Sequence, residues 1–506
     1  MNLLCLPTIT RRSCLQVAVL AGLFPAVGRS ASGSTPERTR VAVSISLEPN
    51  ALDPTLFPAA SIAQVIHLNV LEGLVKIDES GRIQPLLARR WDIAEDRKSY
   101  TFTLHPDITF HDGSQLNADT VRFSFERAQQ AGSKNKGHDT LFKNVAKIQV
   151  HSSQQLTLHL HHPDPLTLFR LGEATAVILH PHSAADAAQH PVGTGPYAFV
   201  EWRKGHSVHL QRFEGYRQPD SRRIQQAVFR FIPSLDEQSQ ALERGEVDAS
   251  FNLITHDLHR FQADPRYQVM MGATSGKGML AINHRHPILQ DLRVRQALTH
   301  AIDKQAFIER VMKGKGTIIG SHFAPTDPGF LNLSNTYPYN PNRARQLLQD
   351  AGIQTPLELR LSCLDIPYAR EGAPVIAEYL AQVGITLKIE PVTWAQWLGK
   401  TFQGDFELTL ITHVESLDHL IYADPNYYFG YNSPDFRSLA QRYSSHAASA
   451  RQRQQLFADM QRHLARDAAN IWLFSPQLCT VARRGLQGLQ MNYPLLSHDL
   501  SGLHWT

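Results

Sequence analysis

Two capped helices in tandem, set mid-chain, constrain this sequence more than any other stretch. They lie in Asn283–Lys304, NHRHPILQDLRVRQALTHAIDK. Pro287 keeps the residue before it out of the helical region, and Asp291 can cap the helix that follows. Val294, Ala297, Leu298, Ala301 and Ile302 recur at three- and four-residue spacing, which makes one apolar stripe. Arg293, Arg295 and Gln296 fall largely outside that stripe. Asp303 is placed to cap a second helix whose face carries Phe307, Ile308 and Val311. Such a pair opens a new packing unit and needs no chemistry of its own.

With 506 residues the chain can bury a large core and should divide into more than one domain. Strands and helices alternate on both sides of the tandem pair. Before it, strands are expected at Val41–Leu47, Tyr100–Leu104, Ser207–Arg212 and Ala227–Ile232, with a hairpin at Val145–Val150 and Gln155–His161. Helices are expected at Ser61–Leu74, Asn117–Arg127 and Asp236–Arg244, the last ended near Gly245, and Pro85–Trp91 reads as short helical or extended. After the pair, helices are expected at Asn342–Ala351, Ala373–Gln382 and Ala448–Leu464. Strands there are expected at Leu357–Leu361, Ile385–Ile389, Phe406–Thr412 and Ile471–Phe474, the last returning toward the first half. No repeat and no compositional linker separates two independent halves. The pattern is mixed α/β, consistent with two lobes joined by more than one crossing.

The N-terminus reads as a targeting segment over residues 1–31. Arg11 and Arg12 precede the apolar run Val17–Phe24, and small residues follow from Ala26 to Ser32. The paired arginines resemble the twin-arginine signal for export of folded proteins. Eight apolar residues are too short to span a bilayer. Cys14 precedes the apolar run, where a lipid-attachment cysteine would have to follow it, so a soluble periplasmic protein is expected. Formal net charge is +4, but residues 1–31 hold three arginines and no acid. Without them 47 basic residues face 46 acidic ones, and no basic block argues for nucleic acid or an anionic membrane. Cys363 and Cys479 can pair in an oxidising compartment or stand as two separate buried thiols.

The sequence shows no GxSxG elbow and no HExxH helix. Gly272–Gly278 is one residue short of a phosphate loop and lacks Ser or Thr after Lys277. Of the 25 histidines, seven fall between His151 and His190, where His159 and His161 can share one face for zinc or nickel. His413, Glu415, Asp418 and His419 form a second candidate cluster. Solvated surface histidines are the plainer explanation of both.

A set of short motifs is similar, in order and spacing, to a known family. They are Leu52-Asp53-Pro54, Leu71–Leu74, Pro85–Trp91, Phe110–Gly113 with Ala118–Ser124, Val192–Tyr197, Asn283, and Asp291–Leu298 through Ala301–Lys304. Together they resemble the extracellular solute-binding proteins of ABC transporters, in the peptide/nickel-binding family 5 that includes dipeptide and oligopeptide binders. The resemblance covers nearly the whole chain after the leader. It implies a two-lobed α/β periplasmic-binding-protein fold with a hinge and an extra subdomain in lobe I. Lobe I would cover about 40–273, with the subdomain within roughly 60–185. Lobe II would cover 274–476, and 477–506 would return to lobe I. It also implies a non-enzymatic monomer, with no cofactor, that encloses a small solute between closing lobes. The partners would be an inner-membrane ABC permease and its ATPase.

In peptide binders of this family an aspartate in the lobe II loop pairs with the peptide's α-ammonium. The matching stretch is Ile411–Tyr422, so the resemblance implies Asp418 for that role, with Glu415 second. A buried ammonium needs such a partner because desolvation without one is costly. His413, His419 and Tyr422, with Tyr427 and Tyr428, offer hydrogen bonds and aromatic faces. Such a loop can equally hold another amine, a sugar-like solute or a metal chelate of nickel or haem type. Asn283 and Ser275 lie near the expected lobe crossing, and Trp394 follows the strand Ile385–Ile389. These complete the candidate ligand-binding residues.

Overall fold

The computed structural model describes residues 39–57, 59–218, 224–252, 258–445 and 448–506. The expected leader and its paired arginines lie outside them.

The tandem helices form at Leu292–Ala301 and Lys304–Val311. The Asp291 carboxylate accepts from the Arg293 N–H and that of Asp303 from the Ala306 N–H, which satisfies first-turn donors that helix geometry leaves open. Val294, Ala297, Leu298, Ala301, Ile302 and Phe307 are all fully buried. Each large aliphatic or aromatic member of the stripe contributes about 1.5–3 kcal/mol from leaving water. Arg295 departs from expectation, for it is buried beside the stripe. Its guanidinium donates to the carbonyls of Leu289, Gln290, Asp467 and Ala468, tying the helix to the segment that precedes a long strand.

That strand, Ile471–Arg483, organises the main sheet. The hydrogen-bonded order runs Ile385–Val392, Leu357–Leu364, Leu408–His413, Lys277–Ile282, Ile471–Arg483, Ala249–Ser250, Arg40–Ile45, Gln226–Phe231, Ser207–Arg212 and Tyr197–Arg203. Its first residues pair with Lys277–Ile282, where Leu280 faces Ile471. Its later residues pair with Tyr267–Ala273, from Ala273 opposite Gln477 to Tyr267 opposite Arg483. Only Thr274, Ser275 and Gly276 separate those two partner strands. The strand is far longer than the Ile471–Phe474 segment expected from its apolar run, because pairing continues past Pro476.

A separate four-stranded antiparallel sheet orders Ala88–Ile93, Ser99–Leu104, Gln155–Leu160 and Val145–Ser152. It has its own core with the helix Ala118–Gln129, built on Phe102, Phe110, Phe125 and Leu158. The Asn117 side chain caps that helix through the N–H groups of Asp119 and Thr120. The segment around Trp91 is therefore extended rather than helical.

The helix expected over Ser61–Leu74 ends at Ile66. Leu68 takes a positive φ of 66°, and the Asn69 amide donates to the Val65 and His498 carbonyls. Those bonds finish the helix and bind it to the C-terminal segment. Gly193 is needed for close approach of two backbones. A Cβ there would lie 1.9 Å from the Val70 carbonyl oxygen, a distance no side chain tolerates. Cys363 and Cys479 are both buried and unpaired, the second of the two arrangements that their spacing allowed.

Candidate ligand-binding site

A cavity of about 550 Å³ opens between chain segments that are far apart in sequence. One wall comes from Pro54–His67, a second from 136–140 and Leu166–Thr175, and a third from Ser275 with Val414–Tyr427; Leu495–Ser497 closes an edge. Apolar contributions include Phe57, Phe169, Leu417 and Ile421. Lys136 reaches Glu415 at 2.8 Å, an ion pair that joins the second and third walls.

Asp418 lines this cavity, yet its carboxylate is occupied from behind. Oδ1 accepts from Lys277 Nζ at 2.7 Å and from His322 Nε2 at 2.9 Å, and Oδ2 accepts from His413 Nδ1 at 3.1 Å. Lys277 also donates to the Glu415 carbonyl oxygen, and its side chain is 1% exposed. Burial alone would raise the Asp418 pKa. The hydrogen bonds from His322 and His413 and the charge of Lys277 override it and hold the carboxyl well below the usual range. Burial pushes His322 down to about 4, so it is neutral at pH 7. A neutral ring donating from Nε2 must accept at Nδ1, and there Tyr422 Oη lies 3.2 Å away. The Tyr422 hydroxyl in turn accepts from Asn470 at 2.7 Å. His413 Nε2 shares a hydrogen bond with the Tyr428 hydroxyl, 3.2 Å away.

The expected site residues therefore separate into groups. Asp418, Glu415 and Ser275 face the cavity, and Ser275 Oγ donates to the Val414 carbonyl at 2.9 Å. His413 and Tyr422 stand behind Asp418, buried, and act on it through hydrogen bonds. His419 turns the other way, fully buried against Phe323 and Phe457, with both ring nitrogens unpartnered. Burial holds its pKa down to about 3, so it packs as a neutral ring. Asn283 spends its amide on the carbonyls of Gly404 and Phe406, at 2.9 and 2.7 Å. Trp394 is 55% exposed and stacks on Trp397, away from the cavity wall.

Lys277, His322, Lys136, Arg170 and Glu173 were not singled out by sequence reasoning. Lys277 did carry a signal. A lysine opening the apolar run Met279–Ile282 needs a carboxylate if the strand is buried on both faces. Among the described residues the only group with metal-ligand geometry is His322, His413 and Asp418, whose ligand atoms all lie within 4.8 Å of one another. The histidines between His151 and His190 form no such group there; His159, for example, bonds Ser99 Oγ at 3.0 Å.

Residues 82–433 match the family model of bacterial extracellular solute-binding proteins, family 5 (middle region). The chain belongs to this family. It is 28% identical over 395 residues to di/tripeptide-binding protein 1 of Pseudomonas aeruginosa, covering 72% of this chain and 73% of that one. Its fold matches the periplasmic binding protein DppA of Helicobacter pylori, solved with the peptide STSA, at a TM-score of 0.76 and 22% identity, over 92% of this chain and 98% of the other. It also matches NikA of Brucella suis, solved with Fe(III)-EDTA, at 0.81 and 22%, over 92% and 100%. The architecture is thus the two-lobed α/β fold of periplasmic binding proteins. No helix among the described residues is long and apolar enough to cross a membrane.

Proposed function

We propose that this family 5 solute-binding protein captures a short peptide in the cavity and delivers it, unaltered, to an inner-membrane ABC permease with its ATPase. The observation that carries this is a cavity walled by segments lying 279 residues apart and held together by the Lys136–Glu415 pair. Such walls can draw together over a solute and part again to release it. We place lobe I at about 40–273 with 477–506, its subdomain within 60–185, and lobe II at 274–476. The crossings are the paired strands Tyr267–Ala273, Lys277–Ile282 and Ile471–Arg483. A volume near 550 Å³ lies in the usual range for small-molecule pockets.

A peptide suits the chemistry of the walls and the di/tripeptide-binding relative. Among the described residues Arg170 bonds only through Nη1, to Asp164 and the Thr140 carbonyl, which leaves its other donors for a carboxylate. Apolar side chains between the charged groups accept the body of a ligand. A metal chelate is the second reading, favoured by the His322–His413–Asp418 geometry. Against it, Lys277 already places a positive charge on the same carboxylate oxygen that a cation would use. A hydrolytic role finds little support in the one Ser–His contact of the cavity wall, Ser497 Oγ to His67 Nδ1 at 2.7 Å. The other ring nitrogen of His67 has no group to orient it among the described residues.

Native mass spectrometry of protein purified gently from periplasm tests this reading. We expect an adduct with the mass of a short peptide that is lost on mild unfolding. A metal-bearing adduct with no peptide mass would replace the first reading by the second.

A further inference from the structure

Two side chains that border the cavity each hold a polar atom that is shut off from free solvent and has no partner among the described residues. They are His67, at Nε2, and Thr175, at Oγ1. His67 is 1% exposed and directly follows the helix Ala60–Ile66. Ala60, Ala63 and His67 succeed one another at three- and four-residue spacing, so they share one face, and all three border the cavity. Nδ1 of the ring meets Ser497 Oγ at 2.7 Å, which pins the imidazole from the adjoining edge and leaves Nε2 as its open position. Thr175 belongs to the opposite run Leu166–Thr175. Its carbonyl accepts from the Asn135 side-chain amide at 2.9 Å, while its hydroxyl is unused. A buried polar atom with no partner carries its full desolvation cost until a group arrives to bond it.

The surroundings of His67 suit a partner without charge. The lining from Pro54–His67 and Leu495–Ser497 holds no acidic or basic side chain, while Lys136, Arg170, Glu415 and Asp418 all stand on the other walls. No charged residue offsets the burial of the ring, which lowers its pKa to about 4 and keeps it neutral near pH 7. A charged ligand group placed there would lose water and gain no counter-charge. A neutral imidazole offers either N–H or a bare nitrogen at Nε2, according to which way the bond to Ser497 runs, and a hydroxyl can both donate and accept. An amide carries one donor and one acceptor, so it satisfies His67 in either tautomer.

We propose that the cavity recognises uncharged amide groups of its solute through His67 Nε2 and Thr175 Oγ1. This rests on the solute-capture reading and deepens it by naming the ligand class, amide-bearing solutes, and the atoms that select it.

The test is calorimetric titration with glycylglycine and with 5-aminopentanoate, which keeps the length and both end charges but has methylenes in place of the amide. N-acetylglycine methylamide, with amides and no charged end, is the third probe. Wild type is expected to favour glycylglycine over 5-aminopentanoate. His67→Phe keeps a ring and removes both nitrogens, and it should lower affinity for glycylglycine about five- to tenfold, the scale of one net hydrogen bond. Affinity for 5-aminopentanoate should stay unchanged, and Thr175→Val should act in the same sense. Nitrogen-15 NMR of histidine-labelled wild type gives a readout without substitution at His67. The ring signals that Ser497→Ala moves should shift with glycylglycine and stay in place with 5-aminopentanoate. A merely structural histidine predicts equal losses for the two probes and ring signals indifferent to glycylglycine, and either result would overturn the proposal. Equal affinity of wild type for glycylglycine and 5-aminopentanoate would also overturn it and leave the peptide reading standing. His67-dependent binding of N-acetylglycine methylamide with no binding of glycylglycine would uphold the amide assignment and sink the peptide reading. Binding of none of the three would overturn both.

Discussion

Replacing Lys277 by Met removes the ammonium from Asp418 while keeping most of the volume of the lysine stem. Lys277 is 1% exposed and the Asp418 side chain 14%, so solvent screens the pair little. Deleting one partner of such a pair strands a buried charge, and the Glu415 carbonyl loses its donor as well. We expect a loss of about 3–5 kcal/mol in unfolding free energy at pH 7. With an unfolding entropy of about 2 cal/mol/K per residue, that is roughly a 3–5 °C fall in Tm for a chain of this size. Urea unfolding followed by tryptophan fluorescence reads it. The double variant Lys277→Met/Asp418→Asn should recover much of the loss, because a neutral amide can remain bonded to His322 and His413. The cycle should then show coupling of about 2 kcal/mol or more. The folded-state pKa of Asp418 is depressed, so its contribution is present above the unfolded carboxyl value and disappears as pH falls through the folded value. The deficit of the single variant should therefore shrink in strong acid. A cost below about 0.5 kcal/mol with an additive cycle would refute the reasoning that the ammonium holds this carboxylate.

Three further outcomes follow from the same geometry. Asn283→Ala strands the carbonyls of Gly404 and Phe406 and should cost roughly 2–4 kcal/mol without changing solute affinity in calorimetry. Trp394→Ala loses an exposed stack on Trp397 and should cost no more than about 1 kcal/mol, again with affinity unchanged. Glu173 has a raised pKa, so between about 4.5 and 7 the folded state holds more protons than the unfolded one. Stability of the unliganded protein should fall as pH rises through that window, and Glu173→Gln should flatten the slope of urea midpoint against pH.

Local chemistry was legible wherever it decides structure locally. Asp291 and Asp303 cap helices where the sequence places them, and the alternation at Tyr100–Leu104 forms a strand paired with Gln155–Leu160. Elements whose limits depend on distant partners were misjudged. The helix from Ala60 stops at Ile66 because Asn69 bonds a carbonyl from the far end of the chain. The strand from Ile471 runs on to Arg483 because Tyr267–Ala273 lies beside it. Arg295 looked like a surface residue by helical phase, yet four carbonyls gathered from two other segments bury it.

The candidate site follows the same division. The family resemblance led to the Ile411–Tyr422 stretch, and Val414–Asp418 within it does form a wall of the cavity. They could not show that Asp418 is already satisfied, since Lys277 is 141 residues away and His322 is 96. The His67 ring nitrogen that lacks a partner among the described residues is a product of three-dimensional packing that no spacing encodes.

A crystal structure of the protein with its co-purified solute tests the central claim most directly. We expect the solute in the cavity between Pro54–His67, Leu166–Thr175 and Val414–Tyr427, with the Lys277–Asp418 pair intact. A solute bound elsewhere, or an ammonium seated on Asp418 with Lys277 displaced, would contradict it.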